Sequence, residues 1–214
     1  MLRRIHFDDR ESWLAGRQAQ FGFGGSEAAA AIGLSPWETP IELWKRKLGL
    51  IPPKDLSGNA SVEQGNRMEP ILRAFYAGMR PEYRIVHYPF DILFQEERPW
   101  MFASLDGELL LDDRRGILEI KTATPNGKAG WEKWADGKMP QNYYVQCLHQ
   151  LLATGYDFVN LFAVLYSMNG DITLREYEIE REDVKSDLDW LMTEETKAFG
   201  YLERGEMPPQ RLIL

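Results

Sequence analysis

The chain has 214 residues, 44% of them hydrophobic, which suits one domain over 1–214 with a substantial core. No apolar run nears the roughly 20 residues of a spanning helix, the N-terminal Arg3, Arg4, Asp8 and Asp9 leave no leader-like apolar region, and the lone Cys147 excludes an intrachain disulfide or a four-cysteine metal site, so a cytoplasmic protein with no membrane partner is expected. The formal net charge of −8 argues against a nucleic-acid surface, but residues 1–140 carry 19 basic and 20 acidic side chains against 6 and 13 in 141–214, so the acidity is concentrated in the final third.

Helical signals dominate the first part of the chain. A short helix carries Trp13, Leu14 and Arg17, and glycines from Gly22 to Gly25 lead into Ser26, which reads as the N-cap of a run from Glu27 to Ile32. Thr39-Pro40-Ile41-Glu42 is a capping box with proline at the first helical position, opening a helix through Lys47 that Gly49 stops. After a loop from Pro52 to Asn59, a helix runs from about Val62 to Met79, and Pro70 inside it should bend it. Tyr83 to Tyr88, Phe90 to Phe94 and Trp100 to Ser104 read as a sheet meander. A hairpin from Asp106 to Lys121 follows, then a loop with Trp131 and Trp134 and a helix from Gln141 to Thr154. A second hairpin, Phe158 to Tyr166 and Ile172 to Ile179, and an acidic helix from about Glu182 to Leu202 complete the series. The pattern indicates an α/β class, with a central mixed or antiparallel sheet flanked by helices.

The first hairpin carries the chemistry. Asp106 opens an apolar run ending at Leu111, and Glu119-Ile120-Lys121 lies on the return strand. Pairing Leu111 with Gly116, or Asp112 with Arg115, sets Asp106 opposite Lys121 and Glu108 opposite Glu119, with Asp106, Glu119 and Lys121 on one face. Diagonal neighbours lie about 7–8 Å apart, close enough for two carboxylates to share a hard cation. Ile120 points into the core and leaves its carbonyl as a third ligand. Mg²⁺ held there would lower the pKa of a bound water towards about 7, with the Lys121 ammonium orienting that water and offsetting charge on a phosphate. An ordinary solvated hairpin shows the same pattern, so other residues must decide.

Glu69, in Gly65-Asn66-Arg67-Met68-Glu69-Pro70, is either an exposed helix acid or a metal ligand through water. Gln146 lies on a helix that the sheet order can bring beside the hairpin. Gly24-Gly25-Ser26 offers backbone N–H groups to a terminal phosphate, with Arg17 as a clamp, or else simply caps a helix. Lys45, Arg46 and Lys47, and Arg114 with Arg115, read as solvated clusters or weak DNA contacts. Trp37, Trp44, Trp131 and Trp134 read as packing residues. His149, one turn beyond Gln146, is placed to line a cleft.

Taken in order, Trp13-x-x-x-Arg17, Gly24-Gly25-Ser26-Glu27, Gly33-x-Ser35-Pro36, Gly65-x-x-x-Glu69-Pro70, Ser104-x-Asp106-Gly107, Glu119-Ile120-Lys121 and Tyr143-x-x-Gln146 resemble the YqaJ-type viral recombinases. That group includes phage lambda exonuclease, within the PD-(D/E)XK nuclease superfamily, and the resemblance covers roughly residues 10 to 165. It implies a restriction-endonuclease-like core and a Mg²⁺-dependent 5′-to-3′ exonuclease. Such an enzyme digests linear double-stranded DNA from 5′-phosphorylated ends to mononucleotides, leaving 3′ single strand for annealing. By motif position, Asp106, Glu119 and the Ile120 carbonyl would bind Mg²⁺ or Mn²⁺, Lys121 would activate water, and Glu69 and Gln146 would complete the site. Arg17, Gly25 and Ser26 would grip the 5′-phosphate. A ring-shaped homotrimer and a single-strand annealing protein as partner are implied by the same resemblance. The alternatives are a structure- or sequence-selective endonuclease on the same core, and a DNA-end binding module whose acids no longer hold metal.

Overall fold

In the computed structural model, which describes residues 1–209, the chain opens on a strand where helical signals were expected to dominate. Residues 210–214 of the expected domain lie outside the described residues. β1 (Leu2–His6) leads into α1 (Arg10–Ala19), β2 (Phe23–Gly24), α2 (Gly25–Ala31), α3 (Pro40–Lys47) and α4 (Ala60–Met79). There follow β3 (Arg84–Val86), β4 (Asp91–Gln95), β5 (Met101–Ala103), β6 (Gly107–Leu111) and β7 (Arg114–Ala123). The short α5 (Gly127–Glu132) occupies the expected tryptophan loop, and α6 (Gln141–Thr154), β8 (Phe158–Tyr166), β9 (Ile172–Glu180) and α7 (Lys185–Glu203) complete the order.

Local signals set the helix ends. Asp9 and Asn59 cap α1 and α4 by accepting from Ser12 N–H and from Ser61 and Val62 N–H. Thr39 and Glu42 form the expected reciprocal box at α3. Gly155 closes α6 at φ 77°, a left-handed conformation that a side chain would strain. Pro70 lies inside α4, which continues through it to Met79.

The strands divide between two mixed sheets. The larger has the order β3-β6-β7-β8-β9, with β7 and β8 parallel, and the smaller has the order β1-β4-β5-β2, with β2 and β5 parallel. The expected meander is therefore corrected: β3 joins β6 in one sheet, whereas β4 and β5 pair in the other. The chain changes sheets at Phe90, whose φ of 64° is uncommon for a bulky residue. Arg4 of β1 then bridges Asp91, at 2.6 Å, and Glu108, tying the sheets together through two buried acids.

Residue alternation sorts the faces of the large sheet. Leu118, Ile120, Phe158, Phe162 and Val164 pack with Leu72 and Tyr76 of α4. Ile117, Val159, Leu161 and Ala163 pack with Leu148 and Leu151 of α6 on the other side. Covered on both faces, β8 reads as an apolar run broken only by Asn160, whose amide donates to the Tyr76 hydroxyl. By parity, Glu119 and Lys121 fall on the α6 side.

The hairpin register differs from expectation by two residues. Leu111 pairs with Arg114 and Glu108 with Ile117, because the turn is only Asp112-Asp113, with Asp112 at φ 51°. Glu108 thus does not face Glu119, and its carboxylate goes to Arg4 and the Tyr156 hydroxyl. An even shift keeps every side chain on its face, so Asp106, Glu119 and Lys121 still converge.

α7 packs on α6 through a fully buried ion pair. His149, expected at a cleft, instead faces Glu195 through Nδ1 at 2.8 Å and the Phe102 carbonyl through Nε2 at 2.9 Å, both side chains being 0% exposed. Acceptors at both ring nitrogens favour the imidazolium. Burial opposes that charge, but Glu195 outweighs it and raises the His149 pKa. Removing one partner leaves a buried charge alone, so Glu195→Ala should cost about 3–5 kcal/mol, whereas His149→Leu with Glu195→Leu should cost far less. The pair's contribution is complete below the ordinary imidazole value of 6.5 and fades as pH rises through the raised one. Thermal melts across that window should show the wild type losing stability with pH faster than the double variant.

Candidate metal centre and its cleft

The centre forms where β6 and β7 begin to diverge. The Asp106 carboxylate, just before β6, accepts from the Ile120 N–H at 2.7 Å, which brings it alongside Glu119 and Lys121. Glu119 is 2% exposed and lies beneath α6. Its Oε1 accepts from Lys121 Nζ at 2.5 Å and from Gln146 Nε2 at 2.6 Å, and its Oε2 from Gln150 Nε2 at 2.5 Å. Ile120 points its side chain into the α4-side core.

Glu69 approaches from α4, paired with Arg73 one turn later. Arg73 also donates from Nε to the Asp106 carbonyl at 2.5 Å, so one guanidinium fixes both acids. Gly65 faces Thr122 of β7, where an added Cβ would sit 3.6 Å from Oγ1.

The electrostatics are those of crowded like charges. Burial, then Glu119 and Glu69, push the Asp106 pKa well above the ordinary carboxylate range. Burial and Glu119 also raise Glu69, against the pull of Arg73. Burial disfavours the Lys121 ammonium, but Glu119 and Asp106 prevail and hold its pKa above the ordinary value. Carboxylates that repel one another in a buried site fit a cation, and a donor set of hard oxygens without thiolate or imidazole suits Mg²⁺ or Mn²⁺. Among the described residues, no group of three or more His, Cys, Asp or Glu side chains forms a ready cage. A Mg²⁺ site of one or two carboxylates completed by water does not require one.

A cleft of about 240 Å³ opens from Asp106 and Glu69 towards α1, and Arg10, Trp13 and Arg17 line its far wall. The Arg17 guanidinium lies 4.8 Å over the Trp13 ring and donates to Ser26 Oγ at 3.3 Å. Ser26 is not the N-cap expected for it. Gly24 takes that position, and α2 starts at Gly25 because the Glu27 carboxylate reaches back to the Gly24 N–H at 3.0 Å. Glu27 is itself held by Arg46 at 2.9 Å and Lys47 at 2.7 Å, so those two cations are internally paired, and Arg114 is paired with Glu180. Gly25 abuts α6, where an added Cβ would meet Gln150 Cγ at 3.4 Å and Gln146 Cγ at 3.5 Å.

Of the expected site residues, Arg17, Glu69 and Asp106 line this cleft, Lys121 and Gln146 contact Glu119, and Ser26 contacts Arg17. Arg73 and Gln150 were missed, although each lies four residues beyond a chosen residue on the same helix face, a signal that could have found them. Of the tryptophans, Trp134 is buried, Trp44 and Trp131 are half-buried, and Trp37, at 62% exposed, lies outside the core.

A family model described as the YqaJ-like viral recombinase domain matches residues 12–157. The uncharacterised protein YqaJ of Bacillus subtilis strain 168 is 30% identical over 185 residues, 84% of this chain and 52% of the relative, so the chain spans about half that protein's length. Among solved structures, the alkaline exonuclease LHK-Exo of Laribacter hongkongensis superposes with a TM-score of 0.58 at 21% identity, covering 92% of this chain and 97% of that one. Its complex with dAMP gives 0.59 at 21% identity and the same coverage. A phage-related exonuclease from Haemophilus somnus 129PT gives 0.53 at 13% identity, covering 87% and 96%. These likenesses show the fold, a restriction-endonuclease-like mixed α/β core.

Asp106→Asn keeps an acceptor for the Ile120 N–H and removes one of the crowded charges. In chelator at neutral pH the variant should therefore melt above the wild type, by on the order of 1 kcal/mol. A lower melting temperature would show that like-charge crowding does not govern this site.

Proposed function

The chain belongs to the YqaJ-like viral recombinase domain family, and from that premise we propose that it is a metal-dependent deoxyribonuclease, a 5′-to-3′ exonuclease acting on linear double-stranded DNA. The observation carrying the reading is the convergence of Asp106, Glu119, Lys121 and Glu69 at one end of a cleft whose other wall holds Arg17. The neighbours described as exonucleases support the reaction class, and dAMP, bound by one of them, is a nucleotide of the kind such a reaction releases.

In this reading Asp106, Glu119 and the Ile120 carbonyl hold Mg²⁺, for which Mn²⁺ can substitute. A divalent ion there supplies Lewis acidity to the phosphodiester and acidifies a water. The Lys121 ammonium, which Glu119 and Asp106 favour, would act as a donor and a positive charge towards water and phosphate oxygens. Glu69, steadied by Arg73, binds water entering from the cleft, and Gln146 steadies Glu119. Arg17 lies pre-positioned on Trp13 and, with Ser26 and the backbone at Gly25, receives the 5′-phosphate. Strand polarity, a trimeric ring and an annealing partner for the 3′ strand are parts of the proposal that rest on the motif resemblance.

Local basic residues also answer the charge objection. Arg10, Arg17 and Lys121 face the cleft and the centre, while the acidity of the chain lies mainly in its final third.

A time course of end-labelled linear duplex with Mg²⁺ should release mononucleotides, and EDTA should stop it. Lys121→Ala and Asp106→Ala should each slow release by about 10²-fold or more without unfolding the protein; full activity in either would remove the mechanism. Ends bearing 5′-phosphate should be digested faster than 5′-hydroxyl ends, and equal rates would count against the Arg17 pocket. Covalently closed circles should survive, since nicking would indicate the endonuclease alternative.

A further inference from the structure

Glu119 is gripped by two amides, and only one of them belongs to the motifs read from sequence. Gln146 donates to Oε1 and Gln150, one turn later on α6, donates to Oε2, so each oxygen of the carboxylate has its own amide. We propose that Gln150 is a positioning residue that fixes the plane of Glu119 so that it presents the remaining lone pair of Oε2 to a divalent cation. The inference rests on the nuclease reading for the identity of that centre.

Torsion about the terminal bond of a glutamate is soft, so a lone carboxylate on a strand samples a broad range of orientations. Two donors from successive turns of a rigid helix remove that freedom. They also do so without adding a second positive charge to the one Lys121 already sets beside Glu119. The stems of both glutamines are packed by the Gly25 backbone, where a Cβ would come within 3.4–3.5 Å of them.

The cost of the arrangement is visible. Gln150 is 1% exposed, and with its Nε2 turned to Glu119 its Oε1 is buried without a hydrogen-bond partner among the described residues. Turning the amide over would oppose oxygen to carboxylate, so the orientation is dictated by Glu119. A buried unpaired acceptor costs about 1–3 kcal/mol, and an apolar side chain of like volume would avoid it. Retaining the amide favours a role in organising Glu119 over a role in packing.

Gln150→Met, of similar volume, and Gln150→Ala separate the two roles. Mn²⁺ titrated calorimetrically into metal-free protein should bind each variant about 10–100-fold more weakly than wild type. The Mn²⁺ concentration giving half-maximal duplex digestion should rise by the same factor, with KM for DNA unchanged. Gln150→Met should melt no lower than wild type. Unchanged Mn²⁺ affinity in the folded variants would overturn the assignment while leaving the nuclease reading standing. A wild type that takes up no Mn²⁺ would overturn both.

Discussion

Acidic groups held close together away from water set the terms for the rest of the molecule. Glu119 and Glu69 make Asp106 harder to ionise and Glu119 does the same to Glu69, and Lys121 offsets only part of that repulsion. An arrangement of this kind persists only if its surroundings over-determine it. Here the Ile120 N–H holds Asp106, Arg73 holds Glu69 and the Asp106 carbonyl, and two glutamines hold Glu119.

α6 is the element through which that restraint reaches the rest of the fold. It presents Gln146 and Gln150 to the centre, packs Leu148 and Leu151 on the large sheet, and turns His149 to α7. The family match ends at residue 157, so Glu195 reaches α6 from outside the matched segment. The acidic last helix, unremarkable as sequence, therefore anchors the helix that organises the candidate site.

Much of this was legible in advance, for local reasons. The capping box at Thr39, the helix from Gln141 to Thr154 and the strand from Phe158 to Tyr166 rest on short-range signals, and the structure has them where they were expected. Convergence of Asp106, Glu119 and Lys121 survived a register error because parity depends only on whether the shift is even. Ser26 was misplaced as a cap because Glu27 competes for the same helix start from one turn inside. The division of β3, β4 and β5 between two sheets was not legible, because it depends on contacts of Arg4 with acids far along the chain.

By itself, the amino-acid order determined most of the helices and strands, the faces of the central hairpin, and a set of acids, amides and cations whose spacing resembles one family. Those properties follow from torsional preference and periodicity over a few neighbouring residues. Only the tertiary structure decided that Arg73 ties Glu69 to Asp106, that Gln150 completes the hold on Glu119, and that His149 serves α7 instead of the cleft. Such pairings are chosen by burial: once water is excluded, each polar group must find its partner among whatever the packed helices and sheets bring within about 3 Å.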